Sequence, residues 1–332
     1  MQESLPLKIV GVGHYLPERV VSSRKIEEMF GLPEGLIVSK TGVHERHWVK
    51  KGETSTFMGA QAAREAVDDA GLGLRDLDLI MNASGTSPQA IPDGGHLLQR
   101  ELGLGTSGIP CMTIHTTCLS FLVGLDVAAG FTATGRYQTI LIVSSDVSSC
   151  GINFKEPESA GLFGDAAAAV VVTRTPKGEP SAVTAARFEG YSRGADYTRV
   201  PGGGTNKHPN HPDTKPEDNL FQMDGAKTYR LARKYVGGFL ERLRPGLSKG
   251  LGTVDYVVPH QPSLLGLRSL RYHGMPDEKV GMTLDRFGNC VAASMPLTLY
   301  MAVREGLIQR GHEILLMGVG AGLSFGGMIL IY

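Results

Sequence analysis

Two apolar rhythms alternate along this chain. Leu7 to Val12 reads as a strand, and a helix is expected near Ser23 to Phe30. From Ser55 to Ala70, Ala and Val recur at helical spacing, and Gly71 stops the pattern. Leu79 to Ala83 is a short, mostly apolar run and reads as a buried strand. The same pair follows: an apolar run at Ile109 to Ile114, an Ala/Leu/Gly-rich helical run at Leu119 to Thr134, and strands at Tyr137 to Ser144 and Ala166 to Thr173. Later come a helix at Lys227 to Leu243, a strand at Asp255 to Val258, a helix at Val291 to Leu307 and a strand at Glu313 to Met317. Alternating strands and helices predict a layered α/β fold. The order helix, strand, helix, strand occurs twice, which predicts an internal duplication. In that overlay Cys118 and Asn289 both stand at helix N-termini, and His260 takes the strand end that matches Ser84. Gly202 to Asn219, rich in Gly, Pro, Asn and Lys, interrupts the order and is read as a mobile surface excursion near a site entrance.

Length and composition narrow the classes. At 332 residues and 42% hydrophobic, the chain can bury a large core. Lys and Arg total 33, as do Asp and Glu, so nothing here predicts a nucleic-acid or anionic-membrane partner, and self-association is easy. Cys111, Cys118, Cys150 and Cys290 form no C-x-x-C pair, which argues against zinc or a dithiol redox motif. Met1 to Pro6 lacks a charged-then-apolar signal pattern, and no apolar run approaches a membrane span. A reduced, soluble, cytoplasmic protein with no membrane span is the expectation.

Candidate chemistry starts at Cys118. It lies where an apolar strand passes through His115-Thr116-Thr117 into a helical run, so its thiol faces free helix N–H groups that favour the thiolate. The bland alternative is an ordinary buried cysteine. His260 follows an apolar strand, the end at which α/β sites are built. Asn289 precedes a helix and competes with the reading of a plain N-cap. Cys, His and Asn on separate turns are the parts of an acyl-transferring thiol enzyme. Gly318 to Gly326 offers exposed N–H groups to a ligand, or else makes a tight turn between two strands. No dinucleotide fingerprint or phosphate-binding loop is present.

With those residues in place, the chain resembles the thiolase superfamily, and within it β-ketoacyl-(acyl carrier protein) synthase III. The motifs that carry the resemblance are Lys40-Thr41-Gly42-Val43-His44-Glu45-Arg46, Thr116-Thr117-Cys118, Phe163-Gly164-Asp165-Ala166-Ala167-Ala168, Phe221-Gln222-Met223-Asp224-Gly225, Pro259-His260-Gln261-Pro262, Gly288-Asn289 and Gly320-Ala321-Gly322. The resemblance implies a five-layer αβαβα fold from two duplicated halves, 1–173 carrying the nucleophile and 174–332 carrying His and Asn, and it implies a homodimer. It implies that Cys118 takes an acyl group from an acyl-CoA or acyl-carrier-protein thioester, with no separate cofactor or metal. His260 and Asn289 would then hydrogen-bond the second thioester during a Claisen condensation. The N–H groups of Cys118 and Ala321 would form the oxyanion hole. Lys40 and Ser263 are expected to bind substrate.

The chain also departs from the family. Leu36 stands where a Trp helps clamp coenzyme A, and Glu156 to Ser159 offers no Arg for the other side of that clamp. Ser263 and Leu265 replace an Asn and an Arg, Leu119-Ser120 replaces a small pair, and Cys290 follows Asn289 where Thr is commoner. These changes predict a specialised lipid or polyketide pathway. Some relatives take a base from the partner subunit in the segment matching Gln89 to Gly94, where Asp93 is the sole carboxylate; a solvated loop Asp is the simpler reading. Acyl transfer to an alcohol or amine, and a non-catalytic partner subunit, are the competing functions.

Overall fold

The computed structural model describes residues 4–332, apart from the side chains of Pro157 and Glu158; Met1 to Glu3 of the polar N-terminal segment lie outside them. Two sheets dominate. The first contains β1 (Lys8–Tyr15), β2 (Leu79–Asn82), β3 (Cys111–Thr113), β4 (Thr139–Asp146) and β5 (Ala166–Thr173), in the order β1-β5-β4-β2-β3. The second contains β6 (Ala182–Gly190), β7 (Tyr256–Pro259), β8 (Glu313–Gly320) and β9 (Ser324–Ile331), in the order β6-β9-β8-β7. In each sheet the first two pairings are antiparallel and the next is parallel. Where β3 extends the first sheet, a lone parallel bridge from Val257 to Val280 stands in the second.

Four helices complete the layers: α1 (Ser55–Asp69), α2 (Ser120–Thr134), α3 (Gly225–Leu243) and α4 (Ser294–Arg304). Strand residues point alternately to opposite faces, so each sheet packs two ways. Ile80, Leu141, Val143 and Val171 meet Met58, Ala63 and Val67 of α1. Their neighbours Leu79, Met81, Ile142 and Val172 turn inward to Phe121, Leu125 and Ala128 of α2. The same core takes Val258, Ile314, Leu316 and Met328 of the second sheet with Met295 and Leu299 of α4. Val257, Leu315 and Ile329 face outward to Phe239, Leu240 and Leu243 of α3. The layers are therefore helix, sheet, helix pair, sheet, helix.

The expected αβαβα fold and its duplication are present, with a different register. Asp78 N–H donates to Thr139 O and Asp255 N–H to Glu313 O, both 2.8–2.9 Å. Thr116 N–H donates to Ser120 Oγ, and Cys290 N–H to Ser294 Oγ, each at 2.9 Å. Thr117 and Val291 both hold φ of 52°. The structural counterpart of Cys118 is therefore Ala292, and Asn289 matches His115 rather than Cys118. Ala83 N–H donates to Val143 O as His260 N–H donates to Met317 O, so His260 matches Ala83 and not Ser84.

Other boundaries moved as well. The expected helix from Val291 opens as a 3-10 turn, Val291–Ala293, and α4 proper ends at Arg304. The glycine-rich run after Met317 is the end of β8 and the start of β9, joined by a tight turn. The window Thr117–Thr134 does have the length and apolarity of a membrane span, contrary to the sequence reading. Half of it is buried, and its apolar character follows from lying between two sheets. The excursion after Gly202 is closed at its base by the short ribbon of Thr198–Arg199 with Gln222–Met223, and Phe221 N–H donates to Gly151 O at 2.8 Å.

Candidate active site

Cys118 stands two residues ahead of α2, with Leu119 as the N-cap. It is half-buried, and it is one of four free cysteines. The groups around its sulfur that favour the thiolate are the backbone N–H of Ala321, its own N–H and the Thr117 side chain. Those donors favour the thiolate, but burial of the sulfur, together with the charge of Asp146, outweighs them and pushes the thiol up to about 12. The helix start therefore does not make a resting thiolate, as the sequence alone led one to expect. At neutral pH Cys118 is therefore a thiol.

The turn after β8 brings Ala321 to the sulfur because two glycines precede it. A Cβ on Gly318 would lie 2.9 Å from His260 Cβ and 3.0 Å from Leu119 Cδ2. A Cβ on Gly320 would lie 3.1 Å from Thr117 Oγ1. The first contact is closer than real Cβ atoms come and the other two would force their neighbours to shift, so β8 passes close against both the Thr117-Cys118 turn and the histidine. The bulky Leu119, unusual after the nucleophile, fits here because its neighbours on β8 lack side chains.

His260 leaves the end of β7 and is 2% exposed. Burial drives its pKa down to about 4, so the ring is neutral at ordinary pH. Its Nδ1 is buried without a partner. An orphaned lone pair costs less than an orphaned N–H, which places the ring proton on Nε2. Gln261 fixes the strand end. Its amide nitrogen donates to Pro259 O and Gly281 O, and its oxygen accepts from Thr283 and Leu284 N–H, all at 3.0–3.1 Å. Every hydrogen-bonding position of that buried amide is filled.

Asn289 is held by the Phe163-Gly164-Asp165 motif. Asn289 N–H donates to Leu162 O at 2.8 Å, and Gly164 N–H donates to Asn289 O at 3.2 Å. A Cβ on Gly164 would sit 2.0 Å from Phe287 O, which demands glycine there. Asp165 is tied to Val49 and Ser149. The Asn289 side-chain oxygen accepts from Val291 N–H at 2.9 Å, an Asx-turn contact and not an N-cap, and this leaves the amide nitrogen as its donor. Gly85 joins this turn to Thr117, the neighbour of Cys118: its Cβ would meet Val291 Cγ1 at 2.5 Å and Thr117 O at 3.0 Å. The segments carrying Cys118, His260, Asn289 and Ala321 thus converge at one place between the two sheets.

The remaining candidates fall elsewhere. Lys40 is exposed in the last turn of the helix Leu36–Thr41. Ser263 caps the helix Leu264–Arg268, accepting from Gly266 N–H at 3.2 Å, so its hydroxyl is engaged within its own chain. The two segments touch, since a Cβ on Gly42 would lie 2.8 Å from Leu264 Cβ. Asp93 is exposed at the head of the helix Gly94–Glu101 and its side chain makes no capping bond. Arg46, from the first motif, is a packing residue. It is fully buried, with bonds to Val21 O, Ser23 Oγ and Gly161 O.

Sequence reasoning missed Asp146. This buried carboxylate ends the apolar strand β4, and burial lifts its pKa to about 6. A single acid three residues past the apolar run Ile140 to Val143 was the available signal.

Residues 112–191 match the family model of 3-oxoacyl-[acyl-carrier-protein] synthase III, and residues 249–332 match the model of its C-terminal region. The β-ketoacyl-[acyl-carrier-protein] synthase III 1 of Bacillus cereus is 31% identical over 325 residues, covering 97% of each chain. The crystal structure of the synthase III from Aquifex aeolicus superposes with a TM-score of 0.87 at 28% identity, covering 98% of this chain and 100% of that one. The priming β-ketosynthase of the R1128 polyketide pathway gives 0.86 at 25% identity, covering 100% and 98%. The chain belongs to the β-ketoacyl-[acyl-carrier-protein] synthase III family of thiolase-fold, acyl-transferring condensing enzymes.

Proposed function

We propose that this enzyme loads an acyl group onto Cys118 and extends it by Claisen condensation with a second acyl or malonyl thioester. The convergence of Cys118, His260, Asn289 and the Ala321 N–H carries the reading. In the first half-reaction the Cys118 sulfur attacks the carbonyl of an acyl-CoA or acyl-carrier thioester. The oxyanion sits against the N–H groups of Cys118 and Ala321, and the carrier leaves as a thiol with the proton that Cys118 lost. In the second, a malonyl thioester loses CO2 to become an enolate, whose oxygen accepts from His260 Nε2–H and the Asn289 amide. Its carbon attacks the acyl group, and Cys118 departs and regains a proton. A neutral His260 suits this role, because it donates a hydrogen bond without adding a buried charge.

The names of the curated relatives favour a β-ketoacyl-carrier product and a place in fatty-acid synthesis. Leu36, Ser263 and Leu265, standing where the family usually carries other residues, support a specialised lipid or polyketide substrate in place of the usual primer. Transfer to an alcohol or amine is not favoured, because the Asn289 amide is held as a donor that such a reaction does not need. A non-catalytic role is not favoured while the nucleophile is present. We take the enzyme as a soluble cytoplasmic homodimer, with halves 1–173 and 174–332. Lys40 and Ser263 would lie at the carrier entrance, and Asp93 would be offered to the partner's site.

The test supplies a panel of acyl-CoA donors with malonyl-carrier protein and follows the product by mass. Release of CO2 with a chain-extended 3-oxoacyl carrier supports the reading. An ester or amide product, or hydrolysis alone, would overturn it.

A further inference from the structure

The Asp146 carboxylate has four donors and, among the described residues, no cationic partner. One oxygen accepts from Gly85 N–H at 2.8 Å, Thr86 N–H at 2.7 Å and Thr86 Oγ–H at 2.9 Å; the other accepts from Ala293 N–H at 3.0 Å. Gly85 and Thr86 follow β2 of the first half, while Ala293 precedes α4 of the second. Gly85 is in turn wedged between Thr117 O and Val291, and its carbonyl meets His115 Nε2 at 3.2 Å. In the register of the duplication, Asp146 matches Gly320, which has no side chain. The buried charge is therefore present in one half only.

We propose that Asp146 is a positioning residue that clamps the Thr117-Cys118 turn and the Asn289–Ala293 turn to one another across the seam of the two halves. This rests on Cys118 being the acylated residue. The clamp serves condensation more than loading, because only condensation needs Asn289 aligned with the acyl-sulfur. Its charge is also felt by Cys118 and Cys290, the ionisable groups that respond to it, and it opposes thiolate formation at both. A purely structural residue of the same shape would lack that signature.

The test compares Asp146→Asn with the wild type in three readouts: iodoacetamide labelling of Cys118 against pH, acyl-enzyme formation by intact mass, and condensation rate. The amide keeps the shape but cannot accept at both ends. The labelling profile is expected to move about one pH unit lower. Acyl-enzyme should still form, while condensation falls about 10²-fold through misplacement of the Asn289 turn. An unmoved labelling profile, with both half-reactions unchanged or falling together, would overturn the proposal. If Asp146→Asn does not fold, Thr86→Val removes one donor and decides: a condensation loss with loading intact supports the clamp, and wild-type rates reject it. A wild-type protein that never gains acyl mass instead overturns the Cys118 reading, and the clamp with it.

Discussion

Ser120 and Ser294 accept the same hydrogen bond in the two halves, each from the N–H four residues earlier and each at 2.9 Å. Around this shared frame the halves have diverged. Where the first half places Cys118, the second places Ala292. Where the second places Asn289 and His260, the first has His115 and Ala83. The shared turn thus carries Cys118 in one copy and Asn289 in the other, and the two turns meet at the seam through Gly85.

Cys118 should behave as a buried thiol. With its pKa pushed up to about 12 by burial and Asp146, iodoacetamide labelling of the free enzyme should climb roughly tenfold per pH unit through neutral and mildly alkaline pH. A plateau near pH 7 would mean a preformed thiolate.

His260→Ala and Asn289→Ala should separate the half-reactions. Each removes a donor to the enolate and leaves the loading site in place. Condensation should fall about 10²–10³-fold, while acyl-enzyme still accumulates. Equal loss of loading in both variants, seen by intact mass, would put these residues in a different role.

Gly318→Ala should damage the histidine without touching it chemically. The new methyl would fall 2.9 Å from His260 Cβ and 3.0 Å from Leu119. A destabilisation of about 1–3 kcal/mol is expected from overpacking, with a loss of condensation. Thermal unfolding and product formation check both; an unchanged enzyme would mean that β8 is free to shift.

His260 and Asp146 pull stability in opposite directions with pH. The His260 pKa drops from 6.5 to about 4 on folding, so its contribution is present above 6.5 and is lost as pH falls through 4. That of Asp146 rises from 3.8 to about 6, so its contribution is present below 3.8 and is lost as pH rises through 6. Between pH 4 and 6 the two slopes oppose each other. Asp146→Asn removes one of them, so its melting temperature should fall more steeply than that of the wild type from pH 6.5 to 4. Parallel curves would contradict the assignment.

Much of this was legible in the chain. Ala166 to Thr173 reads as a strand because it is buried on both faces, and the helix Ser55 to Asp69 announces itself by its alanine spacing and the glycine that follows it. The repeat was visible as an order of elements, but its register was hidden. The positive-φ positions that mark it are Thr117 and Val291, residue types that no turn rule would select. The halves therefore aligned on their notable residues, Cys118 and Asn289, instead of on their equivalent serines. Leu119 looked like an anomaly because the glycines that accommodate it lie about 200 residues away in sequence. The state of Cys118 was misjudged for a related reason: helix position is local, while the burial and the Asp146 charge that outweigh it come from other elements.

Intact-mass analysis of the enzyme incubated with acyl-CoA and acyl-carrier thioesters, beside Cys118→Ala, tests the central claim most directly. The account predicts a gain of one acyl group on the wild type and none on the variant. A gain on both, or on neither with any donor, would contradict Cys118 as the nucleophile.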